Sequence, residues 1–404
     1  MANSVDGNTL VNTKKKISFV LGIRPDIIRA ALIIKYLKKQ PNLDVELVWS
    51  GQHYSDNLKD IFFRELDIPA PDVELGCAGA TDAEIASALI TKLYAYYVQN
   101  KPDVAVFLGD TNTTTGAIAC AQLNIPIYHI EGCMRSYDWQ MPEEKYRTMI
   151  DHLSDLIYTY FDEYKAQGVA EGLNPNRIVV VGNPIVDIVN EYYFSRKKEF
   201  DEMLQSRFFL DRNLTVKNYF VMTCHRRENV HNDDALARIL ELVKNSPLTV
   251  YFPASYRTQQ VLKDKKFVIP SNLKIVDPVG YRELLCLMVN SKGVVTDSGT
   301  LVEESAVLGI PSIQMRHSTE RPQVYDCRSS VKFDPRSTHT NYTVYFSKLL
   351  MLEKTAWKHG LGDGQTSQKI AEDLIHRAQS GTFSTRKREQ YHISTERAYQ
   401  GDKL

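Results

Sequence analysis

The chain has 404 residues, too many for one ordinary hydrophobic core, so two domains are expected. A composition of 43% hydrophobic and 24% charged residues is that of a water-soluble globular protein. Lysine plus arginine and aspartate plus glutamate number 49 each, so no overall field draws the chain to nucleic acid or to a membrane surface. Any affinity for anions has to be local.

The opening residues MANSVDGNTLVNTKKK form a polar leader (1–15) that runs into the first strand and has no apolar signal core. No apolar run approaches the roughly 20 residues that span a bilayer. The six cysteines are scattered without a CxxC pair, which argues for reduced thiols and against a disulfide frame or a zinc site. A cytoplasmic protein with no structural metal is the expectation.

KKISFVLG (15–22) reads as a first strand, and PDIIRAALIIKYLKK after it as a helix. DVELVWSG (44–51), a helical stretch near 82–99, PDVAVFLGD (102–110), NIPIYHIEG and RIVVVGNP (177–184) repeat the alternation. Charge rises and apolar periodicity fades to about residue 215, which places a hinge there. A second set follows: NYFVMTCH (218–225), LTVYFPA (248–254), LKIVDP (273–278), KGVVTDSG (292–299) and IPSIQMR (310–316). Apolar strands alternating with helices predict parallel βαβ units. The expected architecture is α/β with two Rossmann-like doubly wound domains, at 16–195 and 196–378, and a basic C-terminal tail at 379–404. Ligands of such sheets bind beyond the carboxyl ends of the strands, so the cleft between the domains is the expected site.

Polar groups collect at those strand ends. In VVTDSGTLVEESAVLG, Ser298 and Gly299 form a tight turn before a helix, a suitable place for phosphate or simply an N-cap. TCHRRENV puts His225, Arg226 and Arg227 after a strand, and LGIRPDII puts Arg24 after another. FLGDTNTTTGA ends a strand at Asp110, which is either a helix cap or a carboxylate facing the cleft. Glu131 and Glu143 lie just beyond a further strand in HIEGCMRSYDWQMPEEKYR. Three carboxylates from the first domain would then face the cations of the second, and grouped carboxylates supply acid and base forms together. Neither G-x-G-x-x-G nor a P-loop is present, which disfavours a dinucleotide or Walker-type site.

In this order the motifs resemble the non-hydrolysing UDP-N-acetylglucosamine 2-epimerase family. They are Gly22-Ile23-Arg24-Pro25-Asp26, GQH at 51–53, GDTNT at 109–113, HIEGCMR at 129–135, PEEKYR at 142–147, GNP at 182–184, HRRENV at 225–230, DSG-x-x-x-EE at 297–304 and TERP at 319–322. The resemblance spans about residues 16 to 375. It implies a GT-B type two-domain fold, a homodimer, a UDP-sugar substrate and no cofactor. The implied reaction removes the carbon-2 proton as UDP leaves carbon 1, giving a 2-acetamidoglucal, and then returns a proton to the opposite face as UDP adds back.

By the same resemblance Asp110 and Glu131 are acid/base groups and Glu143 a third catalytic carboxylate. Arg24 and His225 face the departing UDP, Ser298 and Gly299 its diphosphate, Glu304 the ribose, and Tyr281 the uracil. Arg147 anchors the sugar side, and Arg29, Arg226 and Arg321 complete the substrate-binding set. Asp26, Arg29, Cys133, Met134, Tyr146 and Thr300 depart from the family pattern and leave the sugar open. UDP-N-acetylglucosamine is the first expectation, interconverted with the manno epimer for a surface polysaccharide. Alternatives are a UDP-linked 6-deoxy-L-hexosamine 2-epimerase, a hydrolysing epimerase and a GT-B glycosyltransferase. The pattern of the family's allosteric substrate site is only partly present, with Gln52 and His53 kept and Ser55 in place of a glutamine.

Overall fold

The computed structural model describes residues 14–51, 60–79 and 81–386, so the Gln52, His53 and Ser55 positions lie outside the described residues, as do most of the leader and of the C-terminal tail. Two parallel sheets organise the chain. The first contains β1 (Lys15–Leu21), β2 (Leu43–Trp49), β3 (Val73–Glu74), β4 (Val104–Leu108), β5 (Ile127–Ile130), β6 (Leu156–Thr159) and β7 (Ile178–Val180), in the order β3-β2-β1-β4-β5-β6-β7. The second contains β8 (Tyr219–Thr223), β9 (Thr249–Pro253), β10 (Leu273–Val276), β11 (Val294–Thr296), β12 (Ser312–Met315) and β13 (Ser330–Phe333), in the order β10-β9-β8-β11-β12-β13. β1 and β4 are buried along most or all of their length, as strands covered by helices on both faces must be.

Strand order reverses between β1 and β4 in the first sheet and between β8 and β11 in the second. At such a switch point the connections after neighbouring strands leave toward opposite faces and open a crevice. The loops after β1, β4, β8 and β11 carry Arg24, Asp110, His225 and Ser298, so topology alone brings these four to the two crevices.

Three strands were not among those expected. β3 spans two residues at the sheet edge, and β6 and β13 span four each. The expected hinge is not bare linker either: helices Lys197–Gln205 and Phe208–Asp211 occupy it and bury Phe200 and Phe209.

The helix Thr366–Ser380 also departs from expectation, because it packs on the first domain although 196–378 was assigned to the second. Asp187, in the first-domain helix Pro184–Tyr192, accepts the backbone N–H groups of Ser367 at 2.9 Å and Thr366 at 3.3 Å. The Tyr158 hydroxyl donates to Asp373 at 2.6 Å, and Phe383 sets its ring edge-on to Tyr128. The helix buries Ile370, Ala371 and Leu374. This apolar stripe needs a partner, and the flank of the first sheet supplies it.

Candidate active site

β4 ends at Leu108, and Gly109 after it, at φ +78°, turns the chain to place Asp110 at the crevice. The Asp110 carboxylate accepts from Arg147 Nε at 3.1 Å and pairs with Nη2 of the same guanidinium. Arg147 stands on the helix Pro142–Leu153, where its Nη1 also meets Glu144 at 2.8 Å. Burial, the largest influence, would raise the Asp110 carboxyl, but the charge and hydrogen bond of Arg147 together with the Arg226 charge outweigh it and hold the group below the ordinary carboxylate range.

Glu143 stands in the first turn of that helix with its side chain 26% exposed. Arg226 Nη1, from the second domain, lies 3.2 Å from Glu143 Oε1. It makes no aligned hydrogen bond there, so the contact is electrostatic. Burial and then the Asp110 and Glu228 charges outweigh Arg226 and push the Glu143 carboxyl upward.

Glu131 follows β5 at φ +79° and is 5% exposed. Arg29 Nη1 reaches its Oε2 at 2.5 Å, the Tyr160 hydroxyl reaches the same oxygen at 2.9 Å, and Arg321 Nη2 pairs with Oε1. Arg29 Nη2 continues to Thr300 at 2.6 Å, and Arg321 Nη1 to Glu303 at 2.5 Å. Glu131 thus ties the two domains together. Arg29 and Arg321, expected to bind substrate, are struts of this buried network because each is engaged on two sides and no more than 3% exposed.

On the second domain, Asp297 is fully buried and accepts the backbone N–H of His225 at 3.0 Å and of Arg226 at 2.9 Å, which fixes the loop after β8. Its carboxylate also lies 3.4 Å from His225 Nδ1. His225 keeps 41% of its side chain exposed at the cleft mouth. Desolvation there, aided by the Arg226 and Arg24 charges, outweighs Asp297 and lowers its imidazolium stability. Arg24 begins the helix Arg24–Lys38 and lies over the Phe62 ring at 5.6 Å. Among the described residues it has no carboxylate partner, and burial lowers it to about 10. A desolvated, uncompensated guanidinium beside His225 is the electrostatic form of an anion site.

Ser298 caps the helix Gly299–Val307 by accepting the N–H of Leu301 at 3.3 Å. A Cβ on Gly299 would stand 2.4 Å from Arg321 Nε, so only glycine admits that side chain over the helix start. Gly22 is equally constrained, since a Cβ would meet Thr113 Oγ1 at 2.0 Å and Ser50 Oγ at 2.5 Å.

Tyr281 and Glu304 come together but away from open solvent. The Tyr281 hydroxyl donates to Glu304 at 2.8 Å, and the two residues are 2% and 1% exposed. The expected uracil stack and ribose contact therefore need this bond to open. Burial raises Glu304 to about 7 despite the tyrosine's donation.

Glu320, quoted only as part of TERP, holds the centre. It lies 3.2 Å from Arg316, 3.4 Å from Arg321 and 3.7 Å from Arg226. Burial opposes its ionisation, but these cations with Arg147 hold it well below the ordinary range. No local signal marked it, because its partners come from both domains. Among the described residues, buried atoms of this cluster without a hydrogen-bond partner include Glu303 Oε2, Glu320 Oε1, Arg226 Nη1 and Arg321 Nε. Such atoms suit a polar ligand or water. No group of three His, Cys, Asp or Glu side chains among the described residues could hold a metal ion.

Comparison with known proteins settles the family. Residues 35–375 match the family model described as UDP-N-acetylglucosamine 2-epimerase. The chain belongs to that family. The UDP-N-acetylglucosamine 2-epimerase of Methanocaldococcus jannaschii is 33% identical over 371 residues, covering 89% of this chain and 99% of the relative. A UDP-2,3-diacetamido-2,3-dideoxy-D-glucuronate 2-epimerase of Pseudomonas aeruginosa is 30% identical with the same coverage. The fold matches the crystal structure of the M. jannaschii enzyme in complex with UDP-GlcNAc and UDP at TM-score 0.81 and 32% identity, over 89% of this chain and 99% of that one. A second structure of the enzyme from that organism, at 31% identity and the same coverage, matches at 0.67. The two Rossmann-like domains are those of the GT-B type, and the chain is an epimerase by family. Among the described residues no helix is long and apolar enough to cross a membrane.

Proposed function

We propose that the chain interconverts UDP-N-acetylglucosamine and UDP-N-acetylmannosamine without hydrolysis, as a cytoplasmic homodimer supplying a surface-polysaccharide precursor. The observation that carries this reading is the meeting of first-domain carboxylates with second-domain cations at two facing switch points. One carboxylate takes the carbon-2 proton while the carbon-1 to oxygen bond breaks and its electron pair leaves with UDP. The products are UDP and 2-acetamidoglucal. A carboxyl on the other face returns a proton to carbon 2 as the UDP oxygen re-forms the bond, so atoms and charge balance.

Asp110, held ionised by Arg147, suits the base, and Glu143, with its raised carboxyl, suits a group that gives a proton up. Glu131 remains the second acid/base candidate; releasing it requires Arg29 or Arg321 to turn toward substrate. Arg24 and His225 meet the charge that develops on the leaving UDP. Five of the six cysteines are buried and all are free, which suits a reducing compartment.

The P. aeruginosa relative acts on a different UDP-sugar, and Tyr146 lines a cavity of about 70 Å³ beside Glu143, Thr111 and Arg227. The test therefore incubates the protein in deuterium oxide with UDP-N-acetylglucosamine and with UDP-sugars altered at carbons 3 and 6. Deuterium at carbon 2 with the manno epimer formed is expected. Exchange confined to another sugar would reassign the substrate, and stoichiometric free UDP would make the enzyme a hydrolase.

A further inference from the structure

His129 lies within β5 with no exposed surface, two residues before Glu131. Its Nε2 stands 2.8 Å from the carbonyl oxygen of Gly109, the residue before Asp110. Its Nδ1 stands 2.8 Å from Oδ1 of Asp151. A carbonyl only accepts, so Nε2 carries a hydrogen, and a neutral imidazole has none left for Nδ1. The other oxygen of Asp151 is occupied: Oδ2 accepts from Arg135 Nη1 at 2.7 Å and from the Cys133 N–H at 2.9 Å.

One further proton must sit between Nδ1 and Oδ1, and the surrounding charges place it on the ring. Arg135 also pairs with Glu171 at 2.6 Å. With the proton on Oδ1, Arg135 would face a neutral acid; with the proton on the ring, Asp151 stays a carboxylate between two cations, and both of its contacts are charge-assisted. Burial would raise the Asp151 carboxyl, but its bonds from His129 and Arg135 hold it below the ordinary range.

We propose that His129 is a positioning residue protonated on both ring nitrogens, which is braced by Asp151 and grips the Gly109 carbonyl so as to fix the turn presenting Asp110. Its charge, close behind that turn, also favours the ionised form of Asp110. A neighbouring glycine fits this role. A Cβ on Gly132 would stand 2.6 Å from Asp151 Oδ1 and 3.1 Å from His129 Nδ1, so only glycine lets the pair close. The proposal extends the reading of Asp110 as a proton-transfer group and rests on it.

Asp151→Asn separates charge from geometry. The amide oxygen is claimed by Arg135 and Cys133, so the amide NH₂ faces Nδ1, and the ring keeps its bond to Gly109 while losing its charge. The expected result is a kcat lowered about tenfold, the scale seen when a partner that orients a working group is lost. KM should change little, and carbon-2 deuterium exchange should fall in parallel. His129→Ala, which loses both brace and charge, should fall further.

Nitrogen-15 NMR of the full-length, histidine-labelled protein gives a readout that does not depend on turnover. Two protonated ring nitrogens are expected for His129 in the wild type and one in Asp151→Asn. A single protonated nitrogen in the wild type, or wild-type kcat in Asp151→Asn, overturns the proposal. Full turnover by Asp110→Asn would instead overturn the role of Asp110, while the NMR result would stand on its own.

Discussion

Asp110 and Glu143 lie at one end of the cleft, yet their surroundings drive them apart. An arginine engaged on two nitrogens holds the first ionised, whereas burial and the neighbouring Asp110 push the second toward protonation. Opposed environments of this kind are how one site supplies a base and an acid at one pH. Asp110→Asn should lower turnover by about 100-fold or more while leaving much of the UDP affinity measured by calorimetry. Glu304 makes a stability prediction. Its folded value of about 7 exceeds the ordinary 4.5, so its protonated form stabilises the fold fully below about 4.5, and that contribution is lost as pH rises toward 7. Glu304→Gln, whose amide oxygen still accepts from Tyr281, should flatten that slope by a few kcal/mol in urea titrations across this window. The strand-end residues Asp110, Glu131 and His225 were legible in the sequence because each breaks an apolar run. Glu320 was not, since what sets it apart is four arginines that meet only in the folded chain.

The long apolar runs announced β1, β4 and β8 at nearly their observed bounds. β6 is a four-residue strand with no flanking glycine or proline to frame it, β13 is as short and has only Pro335 beyond its end, and β3 is a two-residue edge, so pattern alone had little to register. The helix Thr366–Ser380 was placed on the wrong domain for a different reason. Its amphipathic stripe says that it packs, and nothing local says against what. Asp187, which receives its first N–H groups, is the anchor. Asp187→Ala should cost about 1–2 kcal/mol in chemical denaturation, the range for losing a helix-start acceptor. An unchanged midpoint would mean that packing alone seats the helix.

The two domains meet through buried ion pairs, Arg321 of the second to Glu131 of the first, and Arg29 of the first to Glu303 of the second at 3.7 Å. Removing one partner leaves buried charge uncompensated, which costs more than the intact pair contributes. Arg321→Met should lose roughly 3–5 kcal/mol on that basis, and scattering in solution should show a larger radius of gyration. Equal stability and equal size would show that the interface does not depend on this cation. Because the pairs are shielded, added salt should weaken the wild-type interface little. The two-domain plan was readable from the alternation of strands and helices. The self-neutralising seam was not, because charges that look like surface residues one by one find their partners across the cleft.

The return of the helix Thr366–Ser380 to the first sheet has a consequence for how the chain is made. The surface between the helices Arg24–Lys38 and Pro184–Tyr192 that Ile370 and Leu374 cover is translated before the second domain, whereas its cover is translated after it. The second domain, contiguous in sequence, can therefore complete its core during synthesis while the first waits with an apolar flank uncovered. Of the two domains the first thus completes its core after the second, and the nascent chain is most vulnerable on the half that carries Asp110.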